Sequence, residues 1–321
     1  MVFFFGLQLA QTSQRKLGSK TEDVEPNIVY FLCDVLRGGG ILKTKKILFS
    51  ILGFLIVRMT LFTTCFFVVK KDNYNPSNFN IVAKWSGSGT AANPYKIASL
   101  SDLQTLQTNV NAGRNYSGIY FKQTANIDLS SIENWEPIGT STNYFSGVYD
   151  GRNYAISNIS VDAAYSYVGF FGVVSGASSK VMNVRLVDST IINATAGGSS
   201  KCYTGGLVGT IINTTIENCS IENCDVSAAS DNYSGYVGGM IGWIENACSI
   251  TNCSSSGTVI GPGYVGGLIG CVYNFDDEDG GDITISHCYN KATVTGTGDG
   301  DCVGGITGGI YGTYMTECVN A

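Results

Sequence analysis

The chain has 321 residues, enough for two average domains or for one elongated array of repeats. Only 14% are charged while glycine numbers 41, which favours short strands and turns over long helices. A formal net charge of -6 leaves no basic field for gathering phosphates, so nucleic acid and anionic membrane surfaces are not expected partners.

Residues 1–41 show neither clear periodicity nor a turn pattern and stay unassigned; translation from near Leu42 would give the chain an ordinary start. Lys43, Lys45 and Lys46 then precede the apolar run ILFSILGFLIV (47–57), and LFTTCFFVV (61–69) follows Arg58. Residues 42–71 therefore read as an export signal or membrane anchor. Arg58 would be costly at mid-bilayer, which favours a signal over a permanent helix. The stretch FTTC ending at Cys65 only loosely resembles a lipoprotein cleavage box. Residues 72–86, with DNYNPSN, form a polar linker.

Residues 87–161 are expected to hold an N-terminal cap and the first coils of a solenoid. Leu100, Leu103, Leu106 and Val110 fall on one helical face, with Ser99 and Asp102 spaced as a capping box. A short amphipathic helix here would cover the apolar end of a stack of strands. IYFKQTANIDL (119–129) and YFSGVYDGRNYAISNISV (144–161) read as the coils that follow.

Residues 162–321 repeat one unit: YVGFFG, YTGGLVG, YVGGMIG, YVGGLIG and CVGGITG, whose first glycines are Gly169, Gly205, Gly238, Gly266 and Gly304. A second element, apolar, any, Asn, small apolar, follows each as Val181/Asn183/Val184, Ile216/Asn218/Cys219, Ile250/Asn252/Cys253, Ile285/His287/Cys288 and Met315/Glu317/Cys318. Ile156/Asn158/Ile159 reads as the same element one coil earlier, and a second ENC at Asn223–Cys224 leaves the register near 220 open. Two short strands cannot bury a face alone, so the units must stack, with like residues about 4.8 Å apart. Gly-Gly fits a tight turn or a close approach of neighbouring coils, and Asn fits a left-handed corner from which it can bond the coil above. Nine of eleven cysteines lie between Cys202 and Cys318 and follow this phase. Val184 and Ile159 at the cysteine slot favour packing over disulfides or a metal, with Cys219, Cys253, Cys288 and Cys318 as an inward ladder.

The succession GSGTAANPYKIASLSDLQTL, YFKQTANIDL, WEPIGT, FSGVYDGRNYAISNISV and repeated YVGGLIG resembles the bacterial surface proteins that carry the GLUG motif, over roughly residues 86–321. The resemblance implies an all-β fold, a right-handed parallel β-helix, in exported and often adhesin-like proteins. Some of these include proteolytic domains, an activity for which nothing in this sequence gives a basis. Cys302 in place of Tyr and Thr307 within the strand depart from the pattern in the last unit. The chain stops at TECVNA straight after a strand element, which reads as a truncation or a domain lost downstream.

Candidate chemistry is sparse. His287 is the sole histidine and sits where other coils carry Asn, so a structural corner outweighs a general base. Asp128, Glu133, Glu136 and Asp150 are the carboxylates a β-helical lyase or glycosidase would draw on, yet Asp150 belongs to the turn DGRN and the others to strand ends. Asp276, Asp277, Glu278, Asp279 and Asp282 lie in the loop 274–282 and could supply oxygens to Ca²⁺, against a plain solvated insertion. An EF-hand fails, because Phe275 and Ser286 would stand where carboxylates are required. From each first glycine to Val184 or the matching cysteine there are 15, 14, 15, 22 and 14 residues, so this loop is an insertion in the fourth unit and the expected seat of any ligand. Tyr203, Tyr236 and Tyr264 are expected to stack on one another rather than to offer a sugar-binding stripe. The expected function is a non-catalytic surface scaffold or adhesin for a host or cell-surface protein or glycan. The alternatives are a β-helical carbohydrate-active enzyme and a structural spacer.

Overall fold

The computed structural model describes residues 85–163, 165–194, 201–229, 235–274, 281–299 and 301–321. The export segment, the 1–41 stretch and the linker up to residue 84 lie outside the described residues.

The described chain is a parallel β-solenoid with one short helix near its start. One coil shows the path. Thr215–Glu217 lies in an eight-stranded sheet, here sheet A, and Ser220–Ala228 in a ten-stranded sheet B. Gly235–Gly238 and Ile241–Glu245 follow in two five-stranded sheets, D and C. Ser249–Thr251 then returns to sheet A with Ile250 opposite Ile216. All strand pairs run parallel and largely in register, so Tyr236 faces Tyr203 and Tyr264, and Ile241 faces Val208 and Ile269.

The turn from sheet A to sheet B is made by one residue in the left-handed region: Asn183 (φ 53°), Asn218 (54°), Asn252 (53°), His287 (55°) and Glu317 (53°). Asn tolerates that conformation better than most residues, which is why the motif carries it. A second corner, inside sheet B, is turned by Asn158 (58°), Asp188 (50°) and Asn223 (53°). Ile156/Asn158/Ile159 belongs to this second corner, because Ile156 pairs with Leu186, not with Val181. The Val181 rung runs back to Tyr149 instead. The second ENC is the same corner two coils later, and a register shift between Ile221 and Cys224 absorbs its extra residue.

The repeated first glycine answers to close approach, not to a left-handed backbone, since Gly169, Gly205, Gly238, Gly266 and Gly304 are absent from the positive-φ positions. A Cβ on Gly238 would lie 2.0 Å from the Ile241 carbonyl oxygen and 2.6 Å from the Gly270 nitrogen. Sheets D and C are therefore drawn together with no room for a side chain between them.

Helix α1 (Leu100–Asn111) covers the N-terminal end. Ser99 caps it by accepting from the Asp102 N–H, while the Asp102 carboxylate accepts from Ala98 N–H and the Ser99 hydroxyl. Its apolar face, Leu103, Leu106 and Val110, is fully buried in the main core, with Leu100 packed at the margin. The coils beneath it are filled with rings: Phe121, Trp135, Phe145, Tyr149, Phe170 and Phe171 are all buried. Further along, Ile, Val and Cys take over.

Candidate functional site

The cysteines form the inward ladder that their phase implies. Cys219, Cys253 and Cys288 are buried and in no disulfide, as are Cys202, Cys224, Cys248 and Cys271; Cys318 is half-buried and Cys302 exposed. Each ladder thiol points at the carbonyl two residues back, Cys253 Sγ to Thr251 O at 3.3 Å, and at a carbonyl of the preceding coil, Ile216 O at 3.9 Å. The thiols of Cys253 and Cys288 are pushed up in pKa, first by donating toward the ladder thiol of the preceding coil, Cys219 and Cys253 respectively, and then by burial. Burial pushes the Cys224 thiol up to about 11 and that of Cys248 to about 12. Such thiols stay protonated at neutral pH and are poor nucleophiles or metal ligands. Val184 shares the Cys219 slot, but Ile159 does not: it stands at the second corner, where its N–H donates to the Ser189 hydroxyl at 3.1 Å.

The corner side chains also climb from coil to coil. Asn252 Nδ2 donates to Asn218 Oδ1 at 3.2 Å, Asn183 to Asp150 at 2.8 Å, Asn158 to Asp128 at 2.8 Å and Asn223 to Asp188 at 2.7 Å. His287 takes its turn in this ladder and pairs with Glu317 of the next coil. Two of the four early carboxylates are thereby engaged at different corners. Asp128, held below its usual range first by the Asn158 hydrogen bond, also accepts from Ser130. Asp150 accepts from Arg152 N–H and from Asn183. Glu133 and Glu136 are exposed.

Asp276, Asp277, Glu278 and Asp279 lie outside the described residues. Asp282 is described and exposed, directly before the strand Ile283–Ser286. Among the described residues no group of three or more His, Cys, Asp or Glu side chains is placed to hold a metal ion.

The tyrosines stack as their spacing implies, and the stack is longer than Tyr203, Tyr236 and Tyr264. Tyr167 joins it, with successive ring centroids at 5.2, 5.2 and 5.4 Å and interplanar angles of 15°, 15° and 6°. Cys302 stands opposite Tyr264 and ends the ladder. A second aromatic row lies beside it on sheet C: Trp243 meets Tyr236 edge-on at 4.6 Å and stacks on Tyr273 at 5.8 Å. Tyr236, Trp243 and Cys271 thus form a small apolar cluster outside the main core. Lys201 Nζ lies 5.9 Å from the Trp243 ring centroid. The sequence reading missed this second row, because Trp243 pairs with Cys271 in register and meets Tyr273 only diagonally. Burial raises the pKa of Tyr167, Tyr203 and Tyr236, so the ladder is neutral at physiological pH.

At the head of the ladder lies a cavity of about 210 Å³, bordered by Glu136, Thr140, Ser141, Tyr165, Ser166 and Tyr167. It offers room for a small ligand beside both an aromatic ring and polar groups.

A parallel solenoid built on Gly-Gly strand pairs and left-handed Asn corners defines the class of protein. The GLUG motif matches residues 233–260 and 261–295, so the chain carries GLUG motif repeats. It is 32% identical over 139 residues to a protein of Evansella cellulosilytica with the provisional name Gly-rich membrane protein, a match covering 41% of this chain and 15% of that protein. It is 31% identical over 188 residues to halomucin of Haloquadratum walsbyi, covering 55% of this chain and 2% of halomucin. The chain thus matches only a small part of either relative's length. A crystal structure provisionally described as an immunoglobulin A1 protease from Bacteroides ovatus is similar at 22% identity and a TM-score of 0.48, over 72% of this chain and 76% of that chain.

Proposed function

We propose that this chain is an exported, non-catalytic scaffold of the cell surface whose outer face binds a protein or glycan partner. The observation that carries the reading is the aromatic surface on sheets D and C, where Tyr167 and Tyr203 remain half-exposed on a backbone locked by glycine contacts. Rigid, amphipathic rings presented on a regular frame are suited to recognition at small entropic cost. Export is supported by the basic-then-apolar segment 43–69 and by the likeness to a protein named for a membrane. The absence of catalysis is supported by His287 and two of the carboxylates being engaged in corner bonds between coils.

The test is a binding screen of the full-length chain against immobilised glycans and extracellular-matrix proteins. Saturable binding to one class supports the reading. No binding would favour a structural spacer, and release of oligosaccharides from a polysaccharide panel would replace the scaffold with a carbohydrate-active enzyme.

A further inference from the structure

The tyrosine ladder is one rung short at its N-terminal end. Sheet C reaches back past its first strand through bridges from Ile138 to Phe171 and from Phe145 to Val174. Among the described residues sheet D has no such extension, and its strand order stops at Tyr167–Val168. Tyr203 covers the face of Tyr167 that looks toward the following coil, at 5.2 Å. The other face looks toward the preceding coil, whose chain at this level is the segment around Ile138. There lies the cavity bordered by Glu136, Thr140, Ser141, Tyr165, Ser166 and Tyr167.

The size and the lining narrow the occupant. About 210 Å³ is below the range of about 300–1,000 Å³ typical of sites that enclose drug-sized ligands, so the space suits a single ring. The face of an aromatic ring carries negative charge density and attracts the polarised C–H groups of a flat ligand. The residues that border the cavity carry a carboxylate, which accepts hydrogen bonds, and hydroxyls, which both donate and accept; the Thr140 hydroxyl also accepts from the Asn143 N–H. A ring with an apolar C–H face and a hydroxylated rim matches both demands.

We propose that this cavity is a subsite for one pyranose unit of a glycan, which stacks on Tyr167 as the missing rung while Glu136, Thr140 and Ser141 bond its hydroxyls. The inference rests on the reading of the chain as a binding scaffold and names the partner's chemistry. Ring-on-ring contact continues the spacing of the ladder, so the sugar meets a preorganised surface. Glu136 and Thr140 are exposed, so they can exchange water for sugar hydroxyls without reorganising the core.

The experiment is saturation-transfer NMR on the full-length chain with methyl glycosides of glucose, galactose, mannose and N-acetylglucosamine as probes. At least one should bind in the millimolar range, with the strongest transfer to protons of one ring face. Tyr167→Ala should weaken that binding by about tenfold or more, Glu136→Gln by a smaller factor, and Tyr167→Phe very little. Tyr314→Ala, at an exposed tyrosine of the last coil, should change nothing. Should Tyr167→Ala unfold the chain, Glu136→Gln and Thr140→Val at exposed positions decide the matter. Binding of a glycoside that is indifferent to all three changes overturns the subsite while leaving the scaffold reading intact. So does displacement of the glycoside by tetramethylammonium, which would mark a cation site. If no methyl glycoside binds, the subsite is wrong, and the glycan and matrix-protein screen alone decides the broader reading.

Discussion

The inward rung through Ile216, Ile250 and Ile285 continues into Met315, yet the three isoleucines are fully buried and Met315 is 42% exposed. At the opposite end Leu103 and Leu106 of α1 close over the first coils and are fully buried themselves. Sheet A runs through both places; among the described residues only the first coils carry a further element packed on their outer side. In a stacked array each layer is stabilised by its neighbours, so a residue's worth is set by its place along the stack as much as by its chemistry.

Truncating one rung at two heights gives the largest expected contrast. Ile250→Ala should cost about 2–5 kcal/mol, since it removes buried methyls and leaves a cavity between two occupied layers. Met315→Ala should stay within about 0.5 kcal/mol, as expected of a largely exposed position. Chemical denaturation of the full-length chain measures both, and equal costs would mean that the last coil is covered in solution.

Alkaline pH probes the same contrast through ionisation. Unfolded thiols lose their protons near pH 8.5, whereas folded Cys224 and Cys248 hold theirs to about 11 and about 12. In that window the unfolded state binds fewer protons, so stability falls as pH rises. It should be full below about pH 8.5 and decline progressively toward pH 12. Cys224→Val should flatten the early part of that decline in melting curves recorded by circular dichroism. The exposed Cys302 should meanwhile react with maleimide at neutral pH in the folded protein, where the buried thiols should not.

The lid offers a smaller effect. Ser99→Ala removes the cap of α1 and should cost about 1 kcal/mol. Because α1 sits on the ring-filled coils, the loss should appear as faster hydrogen exchange around Phe121 and Tyr149, with the Ile250 layer unmoved. Uniform loss along the chain would mean that the solenoid unfolds as one cooperative block.

These contrasts follow how far each part could be read from the sequence. The helix with its cap, the parallel stacking, the cysteine ladder and the tyrosine stack were legible because each repeats with the coil or follows a local rule. The register of the first coil was not. Ile156/Asn158/Ile159 and Val181/Asn183/Val184 obey the same local chemistry, a left-handed residue between inward apolar ones, and only strand pairing tells the two corners apart. The cavity beside Tyr167 was invisible for a related reason. It comes from a strand that sheet D lacks among the described residues, and a gap in a pattern leaves no motif to find.

A further small effect is expected at Cys253, and it asks whether the thiol ladder is more than packing. Cys253 is 1% exposed, and its slot one coil removed from Cys219 is held by Val184. Valine nearly preserves the volume, and its β-branch suits extended backbone. What it forfeits is a weak S–H donor, whose contacts with Thr251 O and Ile216 O are long at 3.3 and 3.9 Å. Both carbonyls have a second lone pair that the strand ladder can use, so no strong acceptor is orphaned. Cys253→Val should therefore cost less than about 1 kcal/mol, and Cys253→Asp, which buries a carboxyl in the same slot, several times more. A loss of several kcal/mol for valine, or stoichiometric zinc in the native protein that valine abolishes, would show that the sulfurs act together and not as four separate small hydrophobes.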